Sequence, residues 1–181
     1  VLSAGTGRLQ LDRFAAGGFS DLRLTADQVV FHGSVELQAG ERIKIDAAKV
    51  NAVGIDGQAA DVELNTVFLQ IGSSLNRTVA DTADTGSGRF SGNAQWIQLN
   101  GATQWNGFER IALNSQHDLR AVGIRESGDQ RDFIGGLVSA ADLYLQASQI
   151  YPTTLSNFTF AVKNNADGKI VAAMVRGDRE L

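Results

Sequence analysis

Two charge pairs stand one residue apart in strand-like phrases: Lys44 and Asp46 in Ile43-Lys44-Ile45-Asp46, and Asp61 and Glu63 in Asp61-Val62-Glu63-Leu64. Carboxylates at a suitable separation carry out glycoside hydrolysis, one as acid and the other as base or nucleophile. These four residues are therefore the candidates for chemistry on a polysaccharide. The same residue types also decorate the solvated face of any strand, and no triplet of them recurs at a fixed repeat. No catalytic residue is assigned, and the chain is read as not being an enzyme.

The remaining chemical signals are weaker. His32 and His117 lie far apart, each beside a turn, whereas a metal site needs clustered imidazoles and carboxylates. No metal or cofactor is expected. Asp81 and Asp84 lack the spacing of a calcium loop. Gly86-Ser87-Gly88-Arg89-Phe90-Ser91-Gly92 fits neither common phosphate-binding glycine pattern and reads as a flexible turn. Trp96, Trp105, Tyr144 and Tyr151 could stack on sugars, but aromatics at such places more often seal a core or its corners, and that is the expectation here. Arg176-Gly177-Asp178 spells an integrin-type tripeptide and is read as a polar turn.

The elements that carry these residues repeat one phrase: apolar, any, apolar, any, small. It appears as Leu22-Arg23-Leu24-Thr25-Ala26, Val35-Glu36-Leu37-Gln38-Ala39, Ile43-Lys44-Ile45-Asp46-Ala47, Val62-Glu63-Leu64-Asn65-Thr66, Ile111-Ala112-Leu113-Asn114-Ser115 and Leu143-Tyr144-Leu145-Gln146-Ala147. Apolar residues at i, i+2 and i+4 mark strands with one buried face, and no segment sustains a helical stripe. Glycine, at 20 residues, supplies the turns, with one proline and no cysteine. The absence of cysteine removes disulfides and thiolate metal sites. A net charge of −4 without a basic cluster argues against nucleic acid as a partner.

Leu22 to Ile43 and Phe90 to Ile111 are each separated by 21 residues, and Ile43 to Val62 by 19. A period near 20 residues suits one coil of a solenoid made of two or three short strands. The expected fold is all-β, a right-handed parallel β-helix of about eight coils, stacked at about 4.8 Å per coil. Its narrow interior takes two branched residues per strand, with the small third residue where the wall bends. Two intervals break the rhythm, Gly72 to Gly88 and the polar run Arg125 to Asp132, and both are expected to be surface loops. Their polar side chains, Asn76, Arg77, Asp81 and Asp84 in the first and Arg125, Glu126, Asp129 and Arg131 in the second, are the candidate interaction residues. Neither end shows a polar amphipathic cap, so residues 1–181 are expected to be a single β-helix segment of a longer repeat shaft, with coil ends able to self-associate.

Ser139-Ala140-Ala141-Asp142-Leu143-Tyr144-Leu145-Gln146-Ala147-Ser148-Gln149-Ile150-Tyr151-Pro152, with Gly18-Phe19-Ser20-Asp21-Leu22-Arg23-Leu24, Asn93-Ala94-Gln95-Trp96-Ile97-Gln98-Leu99-Asn100-Gly101 and Gly107-Phe108-Glu109-Arg110-Ile111-Ala112-Leu113, resembles the repeats of filamentous haemagglutinin family exoproteins. That resemblance implies two-partner secretion through an outer-membrane pore and an extracellular or cell-surface location on a Gram-negative bacterium. It also implies a role as a rigid shaft in adhesion, biofilm or cell contact, with a host-cell, bacterial-surface or polysaccharide receptor. The alternative from another class is a β-helical polysaccharide-active enzyme or carbohydrate-binding module.

Overall fold

Alternation of inward and outward residues builds every element of the chain. A computed structural model describes residues 1–13, 15–125 and 132–175. Among these, the strands are β1 (Leu2–Asp12), β2 (Ala15–His32), β3 (Ser34–Asp46), β4 (Lys49–Val53), β5 (Asp61–Gly72), β6 (Thr85–Asn100) and β7 (Ala102–Asn106). They continue as β8 (Phe108–Ser115), β9 (Asp118–Val122), β10 (Phe133–Ser139), β11 (Asp142–Ala147), β12 (Gln149–Pro152), β13 (Ser156–Val162) and β14 (Ile170–Met174). All described strand pairings are parallel, and no described residue is helical.

The sheet wraps around one core as a solenoid, because the long strands bend at corners, most of them serving two faces and β2 all three. On the first face, Leu22, Ile43, Leu69, Ile97, Leu119 and Ile150 stack one above another. Val35, Val62, Phe90, Ile111, Leu143 and Ile170 stack on the second. The third carries Leu9, Val29, Val50, Trp105, Ser139 and Val162. The chain visits the faces in the order first, third, second. The expected link from Ile43 to Val62 is thus corrected: Ile43 lies against Leu69, while Val62 belongs to another face. The two phrases look alike because both faces bury the same residue types.

Small residues turn the walls, as the narrow interior requires. Ala26 and Ala47 end first-face strands, and Ala39, Ala94, Ser115 and Ala147 end second-face strands, all buried. Ser115 satisfies its buried hydroxyl by donating to the carbonyls of Gln95 and Asp118, both at 2.9 Å.

One coil lacks its third-face strand. After β5 the chain leaves the solenoid at Gly72 and returns in β6, so β4 pairs directly with β7 while β5 still separates β3 from β6 on the first face. At this level Phe31, Phe90, Trp105 and Phe108 meet inside: Phe90 lies edge-on to Trp105 at 4.7 Å, and Trp105 lies 5.6 Å from Phe108. Trp105 is fully buried, as expected of a core-sealing aromatic. A Cβ at Gly107, whose φ is +79°, would run into the Ala52 carbonyl across this gap.

The departing segment, residues 73–84, lies as a strap over the outside of the third face. Val79, Ala80 and Ala83 pack on Val138 and Ala140, forming a second apolar cluster outside the core. Strand β10 is therefore covered on both sides. The expectation of a loop from Gly72 to Gly88 is corrected at both margins, since Gly72 ends β5 and Thr85–Gly88 begins β6. The glycines at 86, 88 and 92 are strand residues where neighbouring backbone and side chains approach closely, rather than a flexible turn.

Candidate functional site

Several recesses break the outer surface, among them one of about 620 Å³ lined by Arg89, Glu109, Arg110, Asp142 and Tyr144, and two that gather the carboxylates and the amides. The first of these two is a cleft of about 660 Å³ on the second face. Its floor is a grid set by strand register: Ser34 lies beside Asp61, and Glu36 beside Glu63, with Ala15 next to Glu36 on the rung below. Its wall is a two-residue hairpin in which Ile55 and Gln58 exchange hydrogen bonds of 3.0 and 2.9 Å. Asp56 and Gly57 take positive φ there, as a hairpin of this hand demands. Arg13 Nη2 reaches Asp56 Oδ2 at 3.1 Å. The recess thus presents Glu36, Asp61 and Glu63 on adjacent strands beside one guanidinium, an arrangement able to orient hydroxyl groups and to bring two carboxylates to one bond.

The four charged candidates do not share this site. Lys44 Nζ lies 2.9 Å from Asp46 Oδ2 on the first face, and Asp46 Oδ1 accepts the Ser74 backbone N–H at 2.8 Å. Burial works against the Asp46 charge, but the Ser74 and Lys44 hydrogen bonds outweigh it, and its carboxyl sits below the ordinary carboxylate value. These two residues anchor the point where the strap leaves the solenoid. Only Asp61 and Glu63 reach the cleft.

The second recess, of about 480 Å³, runs along the corner between the second and first faces. It is lined by amides. Asn114 Nδ2 donates to Asn93 Oδ1 at 2.9 Å, Asn93 Nδ2 to Asn65 Oδ1 at 3.0 Å, and Asn65 Nδ2 to Glu63 Oε1 at 3.0 Å. This polarised chain crosses three rungs and ends on a carboxylate of the first recess. Immediately after Gln95 on β6 comes Trp96, 41% exposed, and after Gln116 in the corner between β8 and β9 comes His117, and their rings lie 4.7 Å apart at 30°. Trp96 therefore departs from the expectation that it seals the core, because it falls on an outward position of β6. Tyr151, 36% exposed, also faces out and donates to Asp118 Oδ2 at 3.2 Å. Tyr144 is half-buried and carries the Arg110 guanidinium 3.6 Å above its ring.

The candidate loop residues divide. Asn76 is spent on the strap itself: its Nδ2 donates to the Ala102 carbonyl at 2.8 Å and its Oδ1 accepts from Thr78 N–H at 3.2 Å. Arg77 is half-buried, whereas Asp81, Asp84 and Arg125 are exposed. The Asp84 backbone N–H donates to Asn106 Oδ1 at 2.9 Å. Glu126, Asp129 and Arg131, like Arg176-Gly177-Asp178, lie outside the described residues. Among the described residues, no group of three or more His, Asp or Glu side chains could hold a metal ion.

Sequence reasoning missed Arg13, Glu36, Asp56 and the amides. Their signals were present: Glu36 and Glu63 hold the same place in the repeated phrase, as do Gln38, Asn65, Asn114 and Gln146, and Asp56-Gly57 is a hairpin dipeptide. No family model, curated protein or solved structure matches the chain.

Proposed function

We propose that this chain is a shaft segment of a secreted, filamentous haemagglutinin-like adhesin, wound as a right-handed parallel β-helix of about eight coils. The observation that supports it is the in-register stacking on the first face, where Leu2, Leu24, Ile45, Ile71, Leu99, Ala121 and Pro152 form one continuous file. Such a file resists bending because every strand between the two end rungs is hydrogen-bonded on both sides. Right-handed winding follows the general chirality of parallel connections. In this reading the parent protein crosses an outer membrane through its secretion pore, and the rod spaces a receptor-binding part from a Gram-negative cell surface. Intact-mass and flanking-peptide measurement on the native polypeptide tests it. A much larger chain with the same repeats on both sides is expected, and a native chain of about this size would refute the shaft.

A second reading, a polysaccharide-active or polysaccharide-binding β-solenoid, is favoured by the Ser34, Glu36, Asp61 and Glu63 grid within one recess. Release of reducing ends from a polysaccharide panel, abolished by Glu36→Gln or Glu63→Gln, is its test. No release by the unsubstituted protein removes the enzymatic form of this reading.

A further inference from the structure

We infer that the amide-lined groove between the second and first faces is a binding site for an uncharged, extended polysaccharide, with the exposed Trp96–His117 pair as its rim. The inference rests on the carbohydrate reading above and places the ligand outside the carboxylate cleft, which the groove meets only at Glu63.

Among the described residues, the groove walls carry no charged side chain. Its surface is instead built from Asn93, Asn114, Gln95, Gln116 and Gln146, with small residues between them. A primary amide offers donors and an acceptor together, which matches a hydroxyl group that must do both. The asparagine file is already hydrogen-bonded and thereby fixed in place. By contrast, Gln95, Gln116 and Gln146 make no side-chain hydrogen bond among the described residues, and the Asn114 Oδ1 receives no donor. Fixed amides beneath and free amides above give a preorganised floor with unsatisfied polar groups pointing at solvent.

Spacing selects the ligand further. The amides rise one rung at a time, about 4.8 Å, which is close to the length of one pyranose ring in an extended chain. A polypeptide would look for an unpaired strand edge, and none opens here, since β5, β6, β8 and β11 are paired on both sides. An acidic polymer would look for cations, and the described lining of the groove offers none. An exposed indole beside the amides supplies the apolar surface that the C–H face of a sugar ring buries.

The test is calorimetric titration of the protein with cellohexaose, chitohexaose, laminarihexaose and maltohexaose, with polygalacturonate as the charged comparison. Saturable binding of at least one neutral hexasaccharide is expected, weakened about tenfold by Gln116→Ala and by Trp96→Ala. Lys49→Ala, exposed on the third face, is the control expected to leave it unchanged, and Glu36→Gln reads whether the cleft contributes. Both substituted positions are exposed, and an unchanged thermal melt confirms that the variants fold. No neutral saturable binding at millimolar ligand overturns the inference. Binding that depends on Glu36 but not on Gln116 or Trp96 also overturns it, while leaving the carbohydrate reading standing with its site moved to the cleft.

Discussion

The first and third faces of the solenoid solve the same problem differently. On the first, aliphatic residues follow one another rung by rung, and Leu22, Ile43, Leu69, Ile97 and Leu119 can each be exchanged in thought for the next. On the third, the chain skips one level so that β4 pairs directly with β7, with an aromatic cluster inside and a strap lying outside on β10. Regular repetition needs only the right residue class at each step. An interruption needs particular side chains, so specificity concentrates where the repeat fails.

The largest effect is expected on the regular side. Leu143→Asp or Ile45→Asp puts an unpaired charge into a fully buried file, a cost of several kcal/mol against a total stability of about 5–15 kcal/mol. Loss of the cooperative melt is expected, and a folded variant would refute the inward assignment. Next, Trp105→Ala should cost about 3–5 kcal/mol, because Trp105 is fully buried against Phe90 and Phe108 and its removal leaves a large cavity. Urea unfolding measures it, and a cost below that of an ordinary surface change would mean the gap is not held by aromatics.

A smaller effect, about 1–3 kcal/mol, is expected for Asn93→Ala, which severs the amide file at its middle and leaves Asn114 without its acceptor. Hydrogen exchange should then quicken at the corner but not on the third face. The smallest concerns Asp46→Asn. Because the folded-state pKa of Asp46 is lowered, its charge adds stability above the ordinary carboxylate value, and that stability is lost as pH falls through the lower folded value. The variant should therefore unfold with a shallower acid dependence, below about pH 4. An identical acid profile would show that the anchor at Ser74 carries no charge dependence.

Legibility in the sequence followed the same division. The repeated phrase announced the files of the first and second faces, including the pairings Leu22 with Ile43 and Phe90 with Ile111. It could not say which face a phrase belonged to, since Ile43 and Val62 satisfy identical burial demands. Strand β10 went unread because Phe133-Ile134-Gly135-Gly136-Leu137-Val138 is buried on both sides and shows no alternation. A missing strand leaves no residue to read. Trp96 and Trp105 are the same residue type in similar contexts, and only strand parity, outward for one and inward for the other, separates a rim from a core.

In crystals, a row of atoms that stops inside the lattice is an edge dislocation, and the skipped strand is its counterpart in a protein rod. A perfectly periodic stack could glide by one rung and find its pairing restored. Here such a glide would set the aromatic cluster at a level where the third face skips no strand. The flaw pins the register of the rungs on either side of it, as a dislocation pinned by an impurity hardens a metal.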